Sequence, residues 1–225
     1  MIHKHQPRSG DPSNDQGDDF DEQPIRLAGS VLNTKRHIGA FFRSPEEEYQ
    51  VLLPFIKEGL ERGEKAFHVV NPKLREDHLQ RLKDGGIDTD SAEQSGHFHL
   101  QNWDEAYLIG GCFDKQRRLA AWKDVFGDTG QDRVPRTRII AHMEWALEDC
   151  KGVEDLVEYE ARFSMHYEDP RDPVICTYDL NKFSADVIMN ILRTHPTVIV
   201  GGLLQENPFY TPPEKFIEEL RERRA

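Results

Sequence analysis

The stretch His37-Ile38-Gly39-Ala40-Phe41-Phe42-Arg43-Ser44-Pro45-Glu46-Glu47-Glu48 passes from an apolar run straight into a helix start. Ser44 is placed to cap that helix, Pro45 suits its first turn, and Glu47 stands where a capping box needs a carboxylate. Tyr49, Leu52, Leu53, Ile56 and Leu60 then recur at helical spacing, Gly63 offers a left-handed stop after Arg62, and Pro54 predicts a kink. The unit reads as strand, tight turn, helix. At such a junction a turn that cradles phosphates needs glycines, a lysine, and a Ser/Thr for magnesium. Here the glycines and the lysine are missing, and the glutamate triplet 46–48 would repel a triphosphate.

The pattern repeats outward from this unit. Ala66–Val70, His97–Trp103, Arg138–Trp145, Val174–Tyr178 and Thr197–Leu203 are further strand candidates. Helical patterns separate them: Pro72–Lys83 ending at Gly85-Gly86, a run after Asp104 with Leu108, Leu119, Trp122 and Phe126 that Gly110-Gly111 interrupts, Val153–His166, and Ala185–Thr194. Pro212-Pro213 opens a last helix with a basic final turn, which complements the helix dipole. Strands alternating with helices predict an α/β fold with a mostly parallel sheet. Residues 1–33 are polar and acidic and read as a disordered tail, which leaves 34–225 as a single domain.

A formal charge of -12 argues against direct contact with nucleic-acid phosphates or an anionic membrane, and no apolar run is long enough to span one. Three cysteines without CxxC spacing suggest neither a disulfide framework nor a cysteine zinc site, and fit a reducing cytoplasm. Ten histidines show no HExxH-type ligand pattern, so neither a metal nor a cofactor is expected.

In an open parallel sheet, ligands collect beyond the carboxyl ends of the strands, near the point where strand order reverses. That rule nominates Phe42 and Arg43, Asn71, Asn102 and Trp103, Glu144 and Trp145, and Tyr178 and Asp179 as the rim of a cleft with aromatic walls and a few charges. Glu160 stands in register with Val153, Leu156, Val157 and Phe163, where an apolar residue would face the sheet. A carboxylate there is expected to sit in a structural ion pair or to contact the ligand, and if desolvated it would have a raised pKa and act as a proton-linked switch. Cys176 reads as a packing residue of a strand, and His195 as a helix-end residue resting on the sheet.

Taken together the segments resemble a known family. His37–Phe42, the helix reaching Phe55–Glu64, Ala66–Val70, Met143–Trp145, Tyr159-Glu160, Cys176–Asp179, Thr194–Pro196 and Asn207–Tyr210 are similar, in order and spacing, to the MEDS domain, the methanogen/methylotroph DcmR sensory domain. The resemblance covers about Arg36 to Pro213 and implies a RecA/KaiC-like three-layer sandwich without a Walker A motif, sensing a small organic or hydrocarbon-derived molecule without established catalytic residues. Family members often carry a DNA-binding or kinase module, so a chain of this composition is expected to pass its signal to a regulatory protein, such as a kinase or transcription regulator, or to a second copy of itself. The alternatives are an enzyme using Glu144, Glu160 or Asp179 with Cys176 or His195, and a scaffold that binds only protein.

Overall fold

The computed structural model describes residues 23–33, 35–126, 135–166 and 171–224. The chain begins with a short hairpin, β1 (Arg26–Leu27) and β2 (Ser30–Val31), followed by β3 (His37–Phe42) and α1 (Pro45–Glu61). Next come β4 (Lys65–Val70), a 3₁₀ turn over Pro72–Leu74, α2 (Arg75–Asp84), α3 (Thr89–Gln94), β5 (Phe98–Asn102), α4 (Trp103–Ala106) and α5 (Lys115–Phe126). Then follow β6 (Thr137–His142), 3₁₀ turns over Met143–Leu147 and Val153–Asp155, α6 (Leu156–His166), β7 (Val174–Asp179), α7 (Ala185–Leu192), β8 (Thr197–Val200), β9 (Leu203–Glu206) and α8 (Pro213–Arg224).

Strands β3 to β9 form one seven-stranded sheet in the order β5-β4-β6-β7-β3-β8-β9, parallel throughout except for the edge strand β9. Successive side chains of a strand point to opposite faces, so each central strand supplies two cores. Ile38, Ala40, Phe42, Ile140 and Ile175 pack with Leu52, Phe55 and Ile56 of α1 and Leu82 of α2. On the other face Phe41, Val69, Ile139, Cys176 and Tyr178 pack with Trp122 of α5, Leu156, Tyr159 and Phe163 of α6, and Ile191 of α7. Helix α8 packs alongside α6, seating Phe216 and Ile217 against Ala161. The result is a three-layer α/β/α sandwich.

The second of these faces holds all three tryptophans of the chain. Trp145 stacks on Tyr107 with ring centroids 4.7 Å apart, and Trp122 donates its indole N–H to the Tyr159 hydroxyl at 2.7 Å. On the opposite face Arg138 is buried beneath α1, bonded to Glu64 at 2.5 Å, to the Phe55 carbonyl, and to Glu58 at 3.2 Å.

The expected start of the folded domain at residue 34 needs correction. Ile25, Leu27 and Leu32 are buried, and they pack the hairpin into the α1 side of the core. Three apolar side chains spaced through a polar segment suffice because α1 offers them an existing surface. The remainder of the expected tail, residues 1–22, lies outside the described residues. The Thr197–Leu203 run is also two strands rather than one: Gly201 and Gly202, both with positive φ, turn the chain back antiparallel.

Candidate functional site

Neighbouring strands β3 and β7 send their chains to opposite faces, β3 into α1 and β7 into α7. Strands β4 and β6 diverge in the same way, β4 into α2 and β6 into the turn carrying Met143 and Trp145. Divergence leaves the strand tips uncovered between the layers. A hollow of about 350 Å³ occupies that place, with Phe42, Asn71, His142 and Asp179 from the four tips and Glu48, Tyr49, His78, Arg81, Glu144 and Lys182 around them.

The hollow is mostly charge and imidazole. Lys182 lies 3.1 Å from Asp179 and 3.8 Å from Glu144, Glu48 lies 3.0 Å from His142, and Asp77 bonds Arg81 at 2.7 Å. Beneath it runs a buried relay: the Tyr49 hydroxyl is 2.5 Å from His78 Nδ1, and His78 Nε2 is 2.9 Å from His68 Nδ1. Burial, and then repulsion from His142, lower the pKa of His68 to about 3, and burial likewise holds His78 well below the usual value. Burial works the same way on His142, but Glu48 and Glu144 outweigh it and raise its pKa. Glu144 is itself raised, chiefly by burial.

The β3–α1 turn lines this hollow with a capped helix start. Ser44 Oγ accepts from the Glu47 amide at 3.2 Å, as expected, but the Glu47 carboxylate accepts from the Arg43 amide at 2.8 Å, one residue before the cap, so only half of the expected capping box forms.

Of the residues nominated from the sequence, the structure brings Phe42, Asn71, Glu144 and Asp179 together in the hollow. Arg43 instead lines a larger open groove of about 950 Å³ between α1, the N-terminal hairpin and the Gly201-Gly202 turn. Asn102 accepts from Arg75 at 3.4 Å on the flank of β5. Of the expected aromatic walls Phe42 is there, but Trp103, Trp145 and Tyr178 are buried in the core under α5, α6 and α7. Strand alternation explains Tyr178, which shares the inner face with Phe41, 5.6 Å away, while Asp179 beside it faces the hollow. Of the residues missed by sequence reasoning, Glu48, Tyr49, His78 and Lys182 come from helix faces and turns that no strand-end rule reaches, whereas His142 ends β6 and was missed because the strand was read on to Trp145.

Glu160 belongs to a second cluster, buried between α6 and the sheet. Its Oε2 lies 3.2 Å from His37 Nε2, 3.4 Å from His195 Nε2 and 3.7 Å from Cys176 Sγ, and Cys176 Sγ is 3.7 Å from His37 Nε2. The four donor atoms all fall within 4.8 Å of one another. Pairing was expected of Glu160 and is found. Burial pushes its pKa up, and hydrogen bonds from protonated His195 and His37 would pull it below the usual carboxylate value. His37 is lowered to about 4 by burial and by His195.

Comparisons with known proteins agree with this architecture. A family model described as MEDS, the methanogen/methylotroph DcmR sensory domain, matches residues 36–196. The transcriptional repressor DcmR of Methylorubrum extorquens is 23% identical over 172 residues, which take in 76% of this chain and 62% of the repressor. The chain thus matches less than two thirds of that relative's length. A KaiC-like protein from the hyperthermophilic archaeon Pyrococcus horikoshii superposes with a TM-score of 0.52 at 15% identity, covering 80% of this chain and 75% of that one. At that identity the likeness concerns the fold alone, a RecA/KaiC-like sandwich. Among the described residues no helix is long and apolar enough to cross a membrane.

Proposed function

The chain belongs to the MEDS family of sensory domains, and from that premise we propose that it is a non-catalytic sensor that binds a small organic molecule in the hollow at the strand tips and signals to a regulatory protein. The observation that carries this reading is the hollow itself, set where parallel sheets bind ligands and of small-molecule size. Its fixed charges, Glu48, Asp77, Glu144 and Asp179 against Arg81 and Lys182, leave it net acidic. A neutral or cationic ligand suits it, such as a short amine, alcohol or haloalkane, and a triphosphate does not. The non-catalytic reading is supported by the carboxylates, each of which is engaged in an ion pair. The link to transcription rests on the repressor relative.

A sensing ligand must bind one conformation better than another. The hollow lies between α1, α2 and the turn after β6, so a ligand that draws these elements together would alter the surface a partner reads. Thermal-shift measurements against small neutral and cationic organics, with Mg-ATP alongside, test the proposal. A rise in melting temperature with a small organic and none with Mg-ATP is expected. Stabilisation by Mg-ATP, with every small organic inert, would overturn it.

A further inference from the structure

We propose that His37, Glu160, Cys176 and His195 bind one tetrahedral divalent transition-metal ion, with zinc the preferred occupant. The site lies in a different layer from the hollow, so its test stands apart from the ligand reading.

Geometry comes first. With metal–sulfur bonds of about 2.3 Å and metal–nitrogen and metal–oxygen bonds of about 2.0 Å, a tetrahedron has N···O edges of about 3.3 Å and S···N and S···O edges of about 3.5 Å. The observed edges are 3.2 and 3.4 Å for His37 and His195 to Glu160, and 3.7 Å for Cys176 to both His37 and Glu160. Four of the six edges among donors from β3, α6, β7 and the segment between α7 and β8 therefore already stand near the spacing that a shared ion imposes, and the two from His195 to His37 and Cys176 stay within 4.8 Å.

Tautomers supply a second argument. The Ser164 hydroxyl donates its one proton to the Thr194 carbonyl at 3.1 Å, so it accepts from His37 Nδ1–H at 2.7 Å. His195 Nδ1 lies 3.0 Å from the Ile191 carbonyl, which can only accept. Both imidazoles thus carry their proton on Nδ1 when neutral, and each presents an Nε2 lone pair to a carboxylate oxygen. His195 Nε2 accordingly has no hydrogen-bond partner, although it is buried. A cation at the centre removes this conflict among acceptors, and outer hydrogen bonds of this kind are what orient ligating histidines in metal sites.

Charge and donor type agree. One thiolate and one carboxylate neutralise a divalent ion, so no net charge stays buried, and coordination releases the Cys176 thiol proton to solvent. A set of one sulfur, two imidazoles and one carboxylate suits zinc. All four positions are taken by the protein and Glu160 is fully buried, which describes a closed structural centre that ties α6 and the end of α7 to the middle of the sheet.

Elemental analysis of protein purified without chelator, and of protein refolded with zinc or cobalt(II), gives the test. One equivalent of metal per chain is expected. The cobalt form should show a thiolate charge-transfer band and the intense visible bands of tetrahedral coordination. The Cys112→Ser/Cys150→Ser double variant should keep the charge-transfer band, and Cys176→Ser should lose it. If Cys176→Ser does not fold, the double variant still assigns the thiolate, because the chain has three cysteines. Glu160→Gln should weaken zinc affinity by at least about tenfold. Absence of stoichiometric metal from both preparations, or loss of the band in the double variant, would sink the proposal.

Discussion

His195 packs directly over the backbone of Gly39: a β-carbon added to Gly39 would come within 3.0 Å of His195 Cγ and 3.2 Å of its Nδ1. The strand can carry the buried imidazole only because this position has no side chain. Gly39→Ala is therefore expected to displace His195, break its bond to the Ile191 carbonyl, and destabilise the fold by about 1–3 kcal/mol. Urea denaturation measures the loss, and an unchanged midpoint would refute the packing argument.

The N-terminal hairpin should contribute to global stability. Leu27 is buried against the α1 side of the core, so Leu27→Ala is expected to cost about 2–5 kcal/mol. A substitution in a tail would leave the melting temperature where it was, which makes calorimetry on this one variant decisive.

Arg138 holds Glu64 and Glu58 and caps the Phe55 carbonyl from within the core. Arg138→Ala would strand Glu64 beside Arg136 alone and leave a void under α1, and a loss of about 3–5 kcal/mol is expected. Gly59 faces the same guanidinium, and a β-carbon there would meet Arg138 Nε at 2.5 Å, so Gly59→Ala should also destabilise. Equilibrium unfolding of both variants provides the check.

Two histidines near the hollow should shape the pH dependence in opposite directions. For His68, with a folded pKa of about 3 against an unfolded value of about 6.5, the unfolded chain takes up a proton that the native state refuses. Stability therefore falls as pH drops from about 6.5 towards 3, at up to about 1.4 kcal/mol per pH unit. For His142, whose pKa is raised, the contribution is complete below the unfolded value and fades as pH climbs through the folded one. Melting temperature against pH should show His68→Leu flattening the acid limb and Glu48→Gln flattening the limb on the alkaline side of the unfolded histidine value.

Lys182 is half exposed, so Lys182→Ala should change stability by no more than about 0.5 kcal/mol. Its removal leaves Asp179 and Glu144 without their cation and makes the hollow more acidic. The variant should respond more strongly than the parent to cationic organics and less to neutral ones, as read by thermal shift. Identical response profiles would place the ligand elsewhere.

The alternation of strands and helices was legible because buried parallel strands are nearly continuous apolar runs, and His37–Phe42 and the cap at Ser44 emerge at their observed positions. Short edge elements were not. The hairpin strands are two residues long, and the edge strand Leu203–Glu206 is largely exposed, so neither has a run to detect. Part of the hollow was legible from strand ends, through Phe42, Asn71, Glu144 and Asp179. Trp145 and Tyr178 went astray because an aromatic at a strand tip can turn under the covering helices as readily as outward. The cluster at Glu160 joins residues separated by up to 158 positions, from His37 to His195, and no local spacing encodes that meeting.

The indoles of Trp103, Trp122 and Trp145 all sit in one aromatic layer, and none of them borders the hollow. Tryptophan emission, excited selectively at the long-wavelength edge of the absorption so that Tyr49 stays silent, is thus a readout of that layer only, blue-shifted and blind to simple occupancy at the strand tips. If an added compound changes the fluorescence, the perturbation has crossed the sheet, and the signal distinguishes a ligand that merely docks from one that is transmitted.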